Sequence, residues 1–295
     1  MEELYQRLAH ADVHDPVLVL ALEGWIDAGL GAAAAVAALL TSRTVVPVIR
    51  FDSDALLDQR ARRPIMHIAD GINRGLTWPE TEIRATTDDA GKSMLFLVGP
   101  EPDLKWRAFT ATVVDLAREF GTRLVVGLGA FPAPVPHTRP ARLVSTATAA
   151  ELAARVGFLP GAIDVPAGIH GALEQAFAAA GMPAIGLWAR VPHYVSAMPY
   201  PEASARLIDG LAAIADLSLA SKDLHESAAR TRVRIDELIA NSEEHRQLVA
   251  QLEAQVDREA ATEQQATPMT FGQPLPSGDE IAAELERFLR GDSAG

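Results

Sequence analysis

The chain contains no cysteine, which removes disulfides, thiolate metal sites and cysteine nucleophiles together and fits a reducing cytoplasm. It also has no long apolar run. The longest, Leu30 to Leu40, is dominated by alanine and broken by Gly31, well short of the roughly 20 residues of a membrane span. Positive charge is scarce: 26 Lys and Arg stand against 39 Asp and Glu, for a net charge of -13 and a pI near 5.0. A general nucleic-acid binder needs a basic face, so neither nucleic acid nor a membrane is an expected partner, and the acidity reads as solubility. Met1 to Asp15 mixes acidic and basic residues without an apolar segment behind a basic flank, so no secretory signal is expected. With 295 residues and 48% apolar content the chain has material for a large core, and a soluble cytoplasmic protein is the expectation.

What is present is an alternation of strands and helices. Val17 to Leu22 is a continuous aliphatic run bounded by Pro16 and Gly24, the pattern of a strand buried on both faces. The alanine-rich stretch Gly31 to Leu40 then favours helix. Thr44 to Arg50 is the next strand candidate. The alternation recurs at Met94 to Val98 with Trp106 to Phe120, at Leu124 to Leu128, and at Ala184 to Ala189 with Glu202 to Leu217. It predicts an α/β domain over residues 1–219 with a mostly parallel sheet covered on both faces. Between Asp52 and Thr86 a polar insertion, with short strands at Ile65 to Ile68 and Glu80 to Ala85, either extends the sheet antiparallel or forms a flap.

From Lys222 to Glu263 there is no proline or glycine, and six Lys or Arg face ten Asp or Glu. Leu224, Ala228, Thr231, Ile235, Leu238, Ser242, His245, Val249, Leu252 and Val256 step by fours and threes, a heptad seam. This predicts a helical extension over 220–265 that packs on itself or on a neighbouring subunit, with Ser242 and His245 as an interruption or a turn between two antiparallel helices. Residues 266–278 read as a proline-rich linker, and Ser277 with Glu280 as a capping box for a last helix, Asp279 to Leu289.

Three loops follow buried strands: Glu23 to Gly29, Pro136 to Pro140 and Pro192 to Tyr194. In parallel α/β proteins ligands gather at the carboxyl ends of strands, so these loops define a candidate cleft containing Trp25, Asp27, His137, Thr138, Arg139, His193 and Tyr194, with Arg63 and Glu101 as further candidates. Asp27 precedes a helix and suits a cap, its carboxylate accepting backbone N–H bonds. His137 is competent for acid-base work and Arg139 for binding an anion; alternatively both satisfy a nearby acid and backbone carbonyls. Glu101, between Pro100 and Pro102, suits a rigid turn and helix entry. No Walker loop, dinucleotide fingerprint or G-x-S-x-G elbow is present, and the histidine spacing offers no metal site, so no cofactor or metal is expected.

Taken in order, these loops resemble the proteasome assembly chaperone 2 family in its long actinobacterial form. The matching residues are Glu23-Gly24-Trp25-Ile26-Asp27-Ala28-Gly29, Arg62-Arg63-Pro64, Asp70-Gly71, Trp78-Pro79, Gly99-Pro100-Glu101-Pro102 with Trp106, Pro136-His137-Thr138-Arg139-Pro140, Gly168 with Gly171, Pro192-His193-Tyr194 and Leu275-Pro276-Ser277-Gly278-Asp279. The resemblance implies a three-layer α/β/α sandwich similar to the nucleoside-phosphorylase type of fold, homo-oligomers (dimer or trimer) and, from eukaryotic relatives, a role in assembling the proteasome α-ring. Those relatives dock partly through a C-terminal hydrophobic-tyrosine-any motif, to which Gly291-Asp292-Ser293-Ala294-Gly295 does not correspond. Two functions follow as expectations: a non-enzymatic oligomeric binding or assembly protein with proteasome subunits as partners, or a binder or phosphorylase-like or hydrolase enzyme for an anionic or nucleoside-like molecule in the three-loop cleft.

Overall fold

The computed structural model describes residues 4–24 and 26–265. Trp25, the linker 266–278 and the expected terminal helix from Asp279 to Leu289 lie outside the described residues. The elements in chain order are β1 (Tyr5–Arg7), β2 (Val17–Glu23), α1 (Gly31–Thr41), β3 (Val46–Phe51), α2 (Ser53–Leu56), β4 (Ile65–Ala69), β5 (Ile72–Thr77), β6 (Glu82–Thr87), β7 (Ser93–Pro100), α3 (Trp106–Glu119), β8 (Leu124–Ala133), β9 (Leu143–Ala147), α4 (Ala150–Ala154), α5 (Ile169–Ala179), β10 (Ala184–Pro192), α6 (Pro201–Ala215), α7 (Lys222–Ala240) and α8 (Glu243–Gln265).

Eight strands form one sheet in the order β1-β3-β6-β7-β2-β8-β10-β9. Its centre, β7-β2-β8-β10, is parallel. β6 runs against β7, β3 against β6, β1 against β3, and β9 against β10; five of the eight strands therefore point the same way. Strand alternation divides β2 between two cores. Val17 and Val19 lie in the core beneath α1 and α6, with Val36, Leu39, Leu207 and Ile208. Leu18 and Leu20 lie in the opposite core beneath α3 and α5, with Phe109, Val113, Leu173 and Phe177. The aliphatic run thus meets apolar side chains on both faces, which is what a central parallel strand requires.

Of the two expected forms of the insertion, the antiparallel extension of the sheet is present. β6 extends the sheet antiparallel, while β4 pairs with β5 in a separate hairpin whose every residue is exposed. The sequence pattern missed β1, α2, β5, β9, α4 and α5, which are short or mix small and polar residues.

The chain divides into two compact units, Met1–Glu253 and Ala254–Gly295, and only the first is described further. In it α7 packs on α6. Ile235 is 1% exposed within the α1/α6 core, Ala228 is buried, and Leu224 and Ile239 pack against that core. The expected seam placed Leu238 inward, yet it is 63% exposed. Because α7 rests on α6 along a single stripe, the inward residue of its last turn is Ile239, and Leu238 turns outward. The polar interruption is a turn: α7 ends at Ala240, and the Ser242 hydroxyl accepts the His245 N–H at 3.3 Å as α8 begins.

Candidate functional site

The connection leaving β2 carries the chain toward β3, and the one leaving β8 carries it toward β9 and β10 on the other side. In open parallel sheets such a reversal opens a crevice at the carboxyl ends of the two strands. Here β2 and β8 pair only from Val17/Leu124 to Leu20/Gly127, although β2 continues beside β7 to Glu23/Pro100 and β8 beside β10 to Ala133/Pro192. Beyond Leu20 the two strands separate, and they meet again only at an isolated bridge between Asp27 and Ala130.

The first loop is structural in its contacts. Asp27 accepts the N–H groups of Ala32 at 2.8 Å and Ala33 at 2.9 Å, closing the start of α1. Burial raises its carboxyl pKa, and the backbone donors of Ala33, Ala32 and Gly31 oppose the rise. Gly29, at φ +64°, donates its N–H to Ser196 O and accepts the Tyr200 N–H, both at 2.8 Å. A Cβ there would overlap the Tyr200 Cβ, so glycine permits both the left-handed turn and the close approach of the loop after β10. Glu101 is drawn in from β7: its N–H donates to Glu23 O at 2.7 Å, its carboxylate accepts the Ile169 N–H at the start of α5 at 3.1 Å, and it packs on Gly24, where a Cβ would overlap it.

The second and third loops converge on one cluster. The main-chain N–H of His137 donates to the Tyr194 hydroxyl at 2.8 Å, and that hydroxyl lies 2.7 Å from His137 Nδ1. A carboxylate can only accept, so Nε2–H donates to Asp236 Oδ1 of α7 at 3.0 Å; in the neutral ring Nδ1 then accepts the phenol proton, while the phenol oxygen accepts from the backbone. The His137 side chain is 1% exposed, and burial pushes the Tyr194 phenol up to about 12. Glu253 of α8 accepts the Thr138 hydroxyl and pairs with Arg139 Nη1 at 3.1 Å. Arg232 of α7 donates to Thr138 O at 3.2 Å. His193 is exposed, its ring edge-on to Tyr194 at 5.4 Å between centroids. The structure therefore gathers His137, Thr138, Arg139, His193 and Tyr194. Asp27 and Glu101 cap two helices, Arg63 is exposed and joins no hydrogen bond or ion pair among the described residues, and Trp25 is outside them.

A family model described as the PAC2 family matches residues 21–239. The chain belongs to the PAC2 family. Solved structures agree over most of the length. A Corynebacterium glutamicum protein of unknown function shares 31% identity at a TM-score of 0.82, covering 87% of this chain and 98% of its own. The Mycobacterium tuberculosis protein of unknown function Rv2714 shares 35% at 0.81, covering 90% and 92%. The M. tuberculosis proteasome-assembly chaperone homologue Rv2125 shares 34% at 0.74, covering 80% and 99%. No curated protein matches the chain.

In this PAC2-family chain, Asp236, Glu253 and Arg232 are the partners that sequence reasoning did not single out. They sit on charged helix faces 94 to 115 residues from the loop they hold, and nothing local distinguishes them from solvated residues. Chemically, a hydroxyl, an imidazole and a carboxylate in line resemble a proton relay. The phenol, however, is held protonated by burial and uses both its hydrogen-bond roles within the chain, so the contacts describe a clamp of α7 and α8 on the 136–140 loop. Among the described residues no group of three or more His, Cys, Asp or Glu could hold a metal ion, and no helix is long and apolar enough to cross a membrane.

Proposed function

We propose that this PAC2-family chain is a non-enzymatic, homo-oligomeric binding or assembly protein of the proteasome-assembly-chaperone kind, acting in the cytoplasm. The observation that carries the reading is the internal engagement of the polar loops: His137 bonds to Tyr194 and to Asp236, and Thr138 and Arg139 bond to Glu253, all within the same chain. Side chains so engaged act as structure before they act on a substrate. Similarity to the M. tuberculosis proteasome-assembly chaperone homologue supports proteasome subunits as the client class.

The β4–β5 hairpin supports association of copies. Ile65, Met66, Ile68, Ile72, Leu76 and Trp78 are 44% to 65% exposed, and among the described residues β4 and β5 pair with no third strand, an arrangement that is marginal in water by itself. Exposed apolar surface of this kind is the usual mark of an interface. Replacing Ile68 and Ile72 with Lys is expected to lower the mass of the purified particle; an unchanged mass removes the hairpin from the interface.

The direct test of function is a native pull-down of the tagged chain from its own host, analysed by mass spectrometry. Recovery of proteasome α-subunits or assembly intermediates supports the assembly role. A pure homo-oligomer without a client shifts weight to the second reading, a small-molecule cleft at the 136–140 and 192–194 loops. One observation favours that reading, the exposed His193 ring edge-on to Tyr194 at the rim of the clamp, and a metabolite screen against His137, Arg139 and His193 variants addresses it.

A further inference from the structure

The split between β2 and β8 holds a second polar group of residues, separate from the clamp and on the α5 face. His170, in the first turn of α5, reaches into the split and accepts the Leu22 N–H on Nε2 at 3.1 Å. That bond replaces the one β8 would have supplied, because β2 and β8 no longer pair at Leu22. Burial depresses the imidazole pKa to about 4, so at neutral pH the ring carries one proton, and with Nε2 accepting, that proton is on Nδ1. No acceptor for Nδ1–H exists among the described protein atoms.

One turn further along α5 is Glu174. Its Oε2 accepts the Thr146 hydroxyl at 2.7 Å, Thr146 accepts the Trp188 indole N–H at 3.2 Å, and the Trp188 ring lies over Gly129. His170, Thr146, Glu174 and Trp188 wall a crevice floored by Gly127 and Gly186. The crevice is shallow: the space in it that a water can occupy is about 20 Å³, room for a water or two, and the rest of the space between its walls merges with solvent. Gly186 keeps the floor clear, since a Cβ there would press on both Thr146 Oγ1 and Trp188 Nε1.

We propose that this crevice binds a small amino-substituted nitrogen heterocycle. Positions i and i+4 of a helix present neighbouring side chains, so His170 Nδ1–H and the Glu174 carboxylate together ask for an occupant that accepts at one atom and donates at the next. An N–C–NH₂ edge does both: the ring nitrogen accepts from His170, the amino group donates to Glu174, and the flat face of the ring lies against Trp188. The edge takes the water-sized space between His170 and Glu174, and the rest of the ring lies at the solvent-open mouth against Trp188. This site does not depend on the assembly role.

The test is calorimetric titration of the full-length protein at pH 7.5 with 2-aminopyridine, with pyridine lacking the donor and aniline lacking the acceptor. The expected result is saturable binding of 2-aminopyridine at least tenfold tighter than of either analogue, with a change in Trp188 fluorescence absent from Trp188→Phe. Glu174→Gln keeps the size of the side chain and removes its charge, and it is expected to weaken 2-aminopyridine about 10- to 100-fold, the usual effect of losing a charge-assisted bond. Equal affinity for all three rings, no binding at millimolar concentration, or unchanged affinity in a folded Glu174→Gln variant would each overturn the proposal.

Discussion

Ile235 and Leu238 lie three residues apart on α7, and the same truncation at each is expected to have very different effects. Ile235 is 1% exposed in the α1/α6 core. Replacing it with Ala removes three carbons, about 2.4 kcal/mol of transfer free energy at about 0.8 kcal/mol each, and the cavity left under a helix that also bonds His137 adds to this, for a total of about 2–5 kcal/mol. Leu238 is 63% exposed, and Leu238→Ala is expected to change stability by less than about 0.5 kcal/mol. Urea unfolding of both variants at one fixed protein concentration reads the difference, and amide exchange reports whether α7 opens by itself. A loss below about 1 kcal/mol for Ile235→Ala, or an equal loss at Leu238, would refute the claim that α7 is part of the core along the Ile235 stripe.

The pH dependence of stability carries a signature of His170. Its folded pKa of about 4 lies below the unfolded value of about 6.5, so between these values the unfolded chain binds more protons and stability falls as the pH falls, by up to about 3 kcal/mol; His170→Gln should flatten that limb of a denaturation series from pH 7 to 4. Asp88 shows the same direction at lower pH. Burial raises its pKa, but the N–H groups of Ser218, Lys92 and Ala90 together lower it below the ordinary value, so its stabilisation is present above about pH 4 and lost as the pH falls through the folded pKa. Asp88→Asn should therefore weaken the protein at pH 7 and narrow its advantage over the variant in acid. Asp27→Ala removes two bonds to the start of α1 and is expected to cost about 0.5–2 kcal/mol in thermal or urea unfolding. Gly129→Ala places a Cβ inside the Trp188 ring; the indole must move, which fluorescence will register, at a cost of about 1–3 kcal/mol.

The parallel centre of the sheet was legible because burial on both faces imposes a continuous aliphatic run, as in Val17 to Leu22, and a helix after each strand imposes the alternation. Pattern reading failed where neighbours rather than periodicity decide the state. β5, with Asn73, Arg74 and Gly75, is a strand because β4 pairs with it, and β9 is a strand because β10 offers an open edge. The heptad reading of α7 found the face that packs on α6 at Ala228 and Ile235, whereas Leu238 of the same seam is exposed within the chain, since a helix lying on a globular core follows the contour of its support.

The candidate site divides in the same way. Asp27 as a helix cap and Pro136 to Pro140 as a fixed loop were readable because capping and proline act over a few residues. That His137 meets Tyr194 and Asp236, across separations of 57 and 99 residues, has no local expression, because a carboxylate on a charged helix looks the same whether it faces water or a buried imidazole. His170 is the extreme case: its role depends on two strands parting at Leu20. By itself the sequence determined the α/β class and the absence of thiol chemistry, which follow from short-range pattern and composition, and the family, through the likeness of its loop motifs taken in order. Only the tertiary structure decided which polar groups are engaged and which face a space, because hydrogen-bond partners are set by distance in three dimensions.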